Sequence, residues 1–214
     1  MSTFSPEKFK EMPIVGIIRG IDKSKAETVF ALYEKVGFST IEITMNTDGA
    51  SEMIAHLVES FAGRLNVGAG TVRTMEELNG ALNAGAQFIV TPILDKAVIK
   101  TSVAKNIPIF VGAYTPTEIF QAWQWGATAV KVFPTITGGV THIKAVKAPL
   151  EMIPLIPTGG VTVDNIGEYF DLGIEGVGMG GQLFPKIMIE QENWEGLEHR
   201  LEQVKQAYLQ WKNK

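Results

Sequence analysis

There is no cysteine among the 214 residues, which excludes disulfides, cysteine-ligated iron–sulfur clusters and thiol nucleophiles. Histidine is scarce too: His56, His142 and His199 stand far apart, and no grouping of histidines and carboxylates has the spacing of a metal site. Neither sign of charge dominates. Nineteen Lys and Arg against 23 Asp and Glu leave a formal charge of −4, so nothing favours nucleic acid or an anionic membrane as a partner. No apolar run approaches the roughly 20 residues of a membrane helix. The start, Met1-Ser-Thr-Phe-Ser-Pro6, has neither the basic nor the apolar region of a secretion signal. A cytoplasmic protein is expected. Linkers and low-complexity tracts are also missing, so residues 1–214 read as one domain.

What is present is a regular alternation. Short apolar runs at 14–18, 40–44, 66–68, 87–91, 108–111, 128–133, 153–157 and 176–179 predict eight strands. Helical patterns at 23–36, 50–61, 75–84, 96–104, 117–125, 140–147, 163–172 and 186–211 follow them in turn. Gly37, Gly85, Gly126 and Gly173 each stand just before a strand, where a left-handed residue would end the preceding helix. Thr115-Pro-Thr-Glu118 and Thr74-Met-Glu-Glu77 read as capping boxes. Eight βα units predict an α/β protein built as a single (β/α)8 TIM barrel, with an additional N-terminal helical segment. An open doubly wound sheet is the alternative, but Gly68-Ala-Gly-Thr-Val72 lacks the third glycine of a dinucleotide loop.

Two of these strands carry charges that a buried strand normally excludes. Lys131 lies within Ala127-Thr-Ala-Val-Lys-Val-Phe-Pro134, and Glu42 within Ser39-Thr-Ile-Glu-Ile-Thr44. With Val130, Val132, Ile41 and Ile43 facing the helices, alternation turns Lys131, Phe133, Glu42, Thr40 and Thr44 into the barrel. A desolvated lysine can lose its proton near neutral pH and attack a carbonyl. A Lys–Glu pair that only fills the barrel is the bland alternative. Thr40, Thr44, Thr71 and Gly159-Gly160 are expected around the same mouth, which favours catalysis. Pro157-Thr-Gly-Gly-Val161 and Gly178-Met-Gly-Gly181 end the last two strands, where backbone N–H groups and a following helix N-terminus could converge on an anion. Arg19, at the end of the first strand, could pair with that anion or with Glu42. The three histidines, Trp123 and Trp125 read as surface, packing or interface residues.

Taken together, Ile41-Glu-Ile-Thr44, Val67-Gly-Ala-Gly-Thr-Val72, Phe88-Ile-Val-Thr-Pro92, Thr115-Pro-Thr-Glu118, Val130-Lys-Val-Phe-Pro134 and Pro157-Thr-Gly-Gly160 resemble, in order, the class I 2-keto-3-deoxy-6-phosphogluconate aldolase family, which includes 4-hydroxy-2-oxoglutarate aldolases. The resemblance spans about residues 12–185. It implies a lyase of the Entner–Doudoroff type that splits a phosphorylated 2-keto-3-deoxy acid into pyruvate and glyceraldehyde 3-phosphate. It also implies no cofactor, no metal and a homotrimer. Lys131 would form the Schiff base and Glu42 would move protons. Arg19, Asn46, Thr71, Pro92 and Phe133 would line the substrate site, with Thr158, Gly159, Gly160, Gly180 and Gly181 near its distal phosphate. Asn46 stands where many members carry arginine, and Met45-Asn46 is similar to the Leu-Asn of 2-keto-3-deoxy-6-phosphogalactonate aldolases. Val111-Gly112 replaces the usual Pro-Gly after strand 5, and Gly181 replaces a frequent serine. A phosphosugar isomerase or epimerase, and a barrel kept only for binding or assembly, are the competing readings.

Overall fold

The computed structural model describes residues 3–214; Met1 and Ser2, the first residues of the stretch read as lacking a secretion signal, lie outside it. Among the described residues the order is α1 (Pro6–Glu11), β1 (Ile14–Ile18), α2 (Lys23–Val36), β2 (Thr40–Thr44), α3 (Ala50–Ser60), β3 (Asn66–Gly70), α4 (Met75–Asn83), β4 (Ile89–Val90), α5 (Lys96–Ala104), β5 (Ile109–Ala113), α6 (Pro116–Gln124), β6 (Ala129–Val132), α7 (Gly139–Lys147), β7 (Leu155–Pro157), α8 (Ile166–Phe170), β8 (Val177–Met179), α9 (Lys186–Glu190) and α10 (Trp194–Lys212). All strand pairings are parallel, and β1 sits between β2 and β8. A parallel bridge from Thr158 to Gly178 brings β7 to β8, so the sheet closes and the open doubly wound alternative is set aside.

The helix ends follow local chemistry. Gly37, Gly85, Gly126 and Gly173 all take positive φ, as their positions before strands required. Thr115 forms the full capping box with Glu118. The second box is only half made: Thr74 accepts from the Glu77 N–H, but the Glu77 carboxylate accepts from the N–H of Arg73 instead of Thr74. The pattern expected to run unbroken over 186–211 divides at Gln191–Asn193. There Glu192 has positive φ and Asn193 caps α10 by accepting from the Gly196 N–H. The helix expected at 163–172 is similarly trimmed to the five residues of α8.

Alternation sorts the core into two layers. Ile41, Ile43, Val130 and Val132 pack between sheet and helices. Val15, Val90, Ala129 and Ile156 fill the barrel interior with Phe88, Phe110 and Phe9, while Phe4 packs against them. Phe4, Phe9, Phe88 and Phe110 lie 5.5–6.2 Å apart ring to ring and plug the end of the barrel at which the strands begin. The N-terminal segment and α1 thus act as the stopper. Tyr33 fastens α2 to the sheet: its buried hydroxyl accepts from the Gly16 N–H (3.1 Å) and lies 3.1 and 2.8 Å from the carbonyls of Ile14 and Thr40. Burial pushes its pKa far above the usual tyrosine value. Tyr33→Phe should cost about 1–3 kcal/mol by orphaning these groups, read as a lowered urea midpoint with unchanged slope.

Candidate active site

Inter-strand register sets the height of each inward residue. Lys131 is level with Gly112 on β5 and Ile156 on β7, and Glu42 with Ile17 on β1 and Gly68 on β3. Both side chains converge from across the barrel, and Lys131 Nζ lies 4.0 Å from Glu42 Oε1. Glu42 is 0% exposed and Lys131 6%. The pair does not close into a hydrogen bond. Among the described residues, neither carboxylate oxygen of Glu42 has a donor, although a buried carboxylate normally collects two or more. Small neighbours make room for it: a Cβ on Gly70 would stand 2.3 Å from Glu42 Oε1.

Burial dominates the electrostatics of both groups. It lowers the Lys131 pKa, an effect opposed by Glu42 and reinforced by Arg19. It raises the Glu42 pKa, opposed by Lys131 and Arg19. Each group is drawn towards its neutral form, a neutral amine being the nucleophilic one. Lys131 Nζ also lies 5.4 Å from the centroid of the Phe133 ring.

Above the pair opens a cavity of about 640 Å³. Its walls include Arg19, Thr71, Pro92, Lys131, Phe133, Thr158, Gly159, Gly180 and Gly181, nine of the positions expected at the site. Thr71 holds positive φ (53°), an unfavourable backbone state for a β-branched residue, at the end of β3. Its side chain is buried in the wall of the cavity.

Several expectations need correction. Thr40 points inward but lies at the base of the barrel, where it accepts from Asn66 Nδ2, and so is not at the mouth. Thr44 is engaged with Thr47 (3.1 Å) and does not line the cavity. Asn46 is exposed, outside the wall. Gly160 also lies outside it, backed against Ile136. Arg19 lines the cavity but makes no ion pair within 4.0 Å with Glu42, and influences it only at longer range. Val111-Gly112 is part of β5 and does not follow it; a Cβ at Gly112 would strike the Pro92 backbone at 2.4 Å. No helix starts directly after Gly160 or Gly181: the next ones begin at Ile166 and Lys186, so any anion cradle there is made of loop backbone.

The sequence reading missed an outer lobe, walled by Ile21, Asp22, Lys25, Phe184, Lys186 and Ile189. It comes from the β1–α2 loop with the first turn of α2, and from the segment after β8. The adjacency of the first and last strands in a closed barrel was the available signal.

A closed parallel barrel with a buried amine set against a carboxylate that accepts no hydrogen bond among the described residues, below an open cavity, defines a Schiff-base lyase of the class I aldolase type. Residues 6–200 match the family described as KDPG and KHG aldolase, and the chain belongs to that family. It is 34% identical over 175 residues to the 2-dehydro-3-deoxy-6-phosphogalactonate aldolase of Escherichia coli strain K12, covering 81% of this chain and 85% of that protein. It is 35% identical over 204 residues to the 2-dehydro-3-deoxy-phosphogluconate aldolase of Haemophilus influenzae, covering 92% and 93%. A solved structure described as "Native KDPGal structure" superposes with a TM-score of 0.90 at 29% identity, over 100% of both chains.

Proposed function

We propose that the chain, working over 1–214 as one domain, cleaves a 2-keto-3-deoxy-6-phospho sugar acid of the 6-phosphogluconate type to pyruvate and glyceraldehyde 3-phosphate. One observation carries this reading: a fully buried carboxylate that has no donor among the described residues, 4.0 Å from a lysine whose proton burial has loosened. Such a group lacks the one thing a substrate hydroxyl would supply.

In this reading neutral Lys131 attacks the C2 ketone, and loss of water leaves an iminium. The iminium accepts the electron pair of the C3–C4 bond. Glu42, as carboxylate, takes the C4 hydroxyl proton, and the aldehyde departs. The enamine left on Lys131 is protonated at C3, with Glu42 returning the proton, and water releases pyruvate. Thr71 and Pro92 border the pyruvyl end and Phe133 stacks beside the reacting carbons. Thr158, Gly159, Gly180 and Gly181, with Gly160 shaping the loop, flank the distal end with Arg19.

A second reading, cleavage of the phosphogalactonate epimer, is favoured by Met45-Asn46 and by the Escherichia coli relative. The epimers differ at C4, whose hydroxyl is the one Glu42 deprotonates. Coupled measurement of pyruvate release from both epimers and from 4-hydroxy-2-oxoglutarate decides between them. Release from none of the three would reject aldol cleavage.

The same proposal includes assembly as a homotrimer in the cytoplasm. Phe120 (43% exposed) and Trp123 (37%) lie one turn apart on α6, with exposed Val103 on neighbouring α5, an apolar face suited to a second copy. Light scattering on the purified chain should give three times the monomer mass. Among the described residues, no helix is long and apolar enough to cross a membrane.

A further inference from the structure

The outer lobe of the cavity has a charge arrangement that the proposed cleavage does not use. Three cations and two carboxylates line it: Arg19, Lys25 and Lys186 against Asp22 and Glu190. Most of these charges are already committed. Asp22 caps α2, its Oδ1 accepting from the Ser24 N–H (2.8 Å) and hydroxyl (2.7 Å). Lys25 reaches the carbonyls of Ile189 (3.2 Å) and Glu190 (3.0 Å) and pairs with Glu192 (3.3 Å). That binds it to the far end of α9. Arg200 holds the near end of the same segment, donating to the Gln182 carbonyl (2.6 Å) and Oε1 (2.8 Å). The wall after β8 is thus fixed at both ends by residues whose charges are consumed in fixing it.

Lys186 is different. It lines the lobe, its side chain is 81% exposed, and its ion pair is with Glu190 at 3.3 Å, one turn along the same five-residue helix. An exposed pair of this kind is weakly held and can be exchanged at little expense. Gly180 and Gly181, which line the same cavity, offer backbone but no side-chain donor. A phosphate monoester carries between one and two negative charges at neutral pH. Arg19 alone would leave part of that charge uncompensated.

From this geometry we infer that Lys186 is a specificity residue for the distal end of the substrate, leaving Glu190 to bind a terminal phosphate together with Arg19. The inference rests on the aldolase reading above and adds to it the side chain that selects phosphorylated substrates. Glu190 acts as the internal competitor, holding the lysine over the lobe until the anion arrives.

The test is steady-state cleavage of a 2-keto-3-deoxy-6-phospho acid and of unphosphorylated 4-hydroxy-2-oxoglutarate by the full chain and its variants. Lys186→Gln should raise KM for the phosphorylated acid about tenfold, the size of one charge-assisted contact, with kcat nearly unchanged. KM for the unphosphorylated acid should not move. Lys186→Arg should retain the phosphorylated preference, and Glu190→Gln should lower KM for the phosphorylated acid. Equal effects of Lys186→Gln on both acids, or no effect on either, would overturn the role of Lys186. Borohydride trapping of pyruvate by the unaltered chain separates the failures. Loss of trapping sinks the aldolase reading and this inference with it, whereas trapping with an indifferent Lys186→Gln sinks the inference alone.

Discussion

Lys131→Met should abolish pyruvate release while the barrel stays folded. The amine is the proposed attacking group and the site of every covalent intermediate, so turnover is expected to fall to background, more than ~10³-fold. Folding is expected to survive because methionine fills much the same volume as the lysine stem. Removal of a desolvated amine also relieves a penalty that burial imposes. Glu42 is then left without its neighbour, but burial raises its pKa and the carboxyl can hold a proton. Thermal melting followed by circular dichroism should therefore show a midpoint no lower than that of the parent. The covalent counterpart is direct. Borohydride added with pyruvate should place a three-carbon unit on Lys131, located by peptide mass spectrometry. Modification at any other lysine would transfer the nucleophile's role elsewhere and remove the basis of the mechanism.

Glu42→Gln should keep the covalent step and lose the proton transfers. A fall in kcat of ~10²–10⁴-fold is expected, the range for one positioned acid–base group. Pyruvate should still be trapped on Lys131. The pH response gives a second readout whose sign is fixed by the charges. Ionised Glu42 raises the Lys131 pKa, against the larger lowering by burial. A neutral glutamine withdraws that support, so the lysine gives up its proton at lower pH. The acid limb of imine formation should accordingly move to lower pH in Glu42→Gln. Movement to higher pH, or no movement, would mean that the two groups do not share a proton balance in solution. Trapping rates measured across the range provide the curve.

Much of the placement of these residues was legible in the sequence, and the reasons differ by residue. The alternation Ala129-Val-Lys-Val132 places Lys131 on the inner face because the two valines belong among the helices, and they do pack there. The same rule orients Glu42. It gives a face and not a height, which is why Thr40 was expected at the mouth and lies at the base. Height depends on register against β1 and β3, a property of strand pairing that one strand's pattern does not contain. The glycine helix ends were readable because a left-handed residue is a local demand. Gly70 carried no such sign. Its value lies in a contact with a carboxylate from the neighbouring strand, so only the assembled barrel shows it. The outer lobe was hidden for a similar reason: it joins segments 164 residues apart, as Lys25 of α2 and Ile189 of α9 illustrate.

The aromatic stopper formed by Phe4, Phe9, Phe88 and Phe110 turns the barrel into a blind tube, with Lys131 and Glu42 above its floor. Traffic must therefore use one door. In the proposed reaction the three-carbon fragment stays bonded to Lys131 when the C3–C4 bond breaks, whereas the aldehyde is free at that moment, so the two products leave in turn through the same opening. The order of departure follows from that covalent bond, and the fold adds that both departures share one exit. Those phenylalanines, at the opposite end of the barrel, confine to one mouth a reaction they never touch.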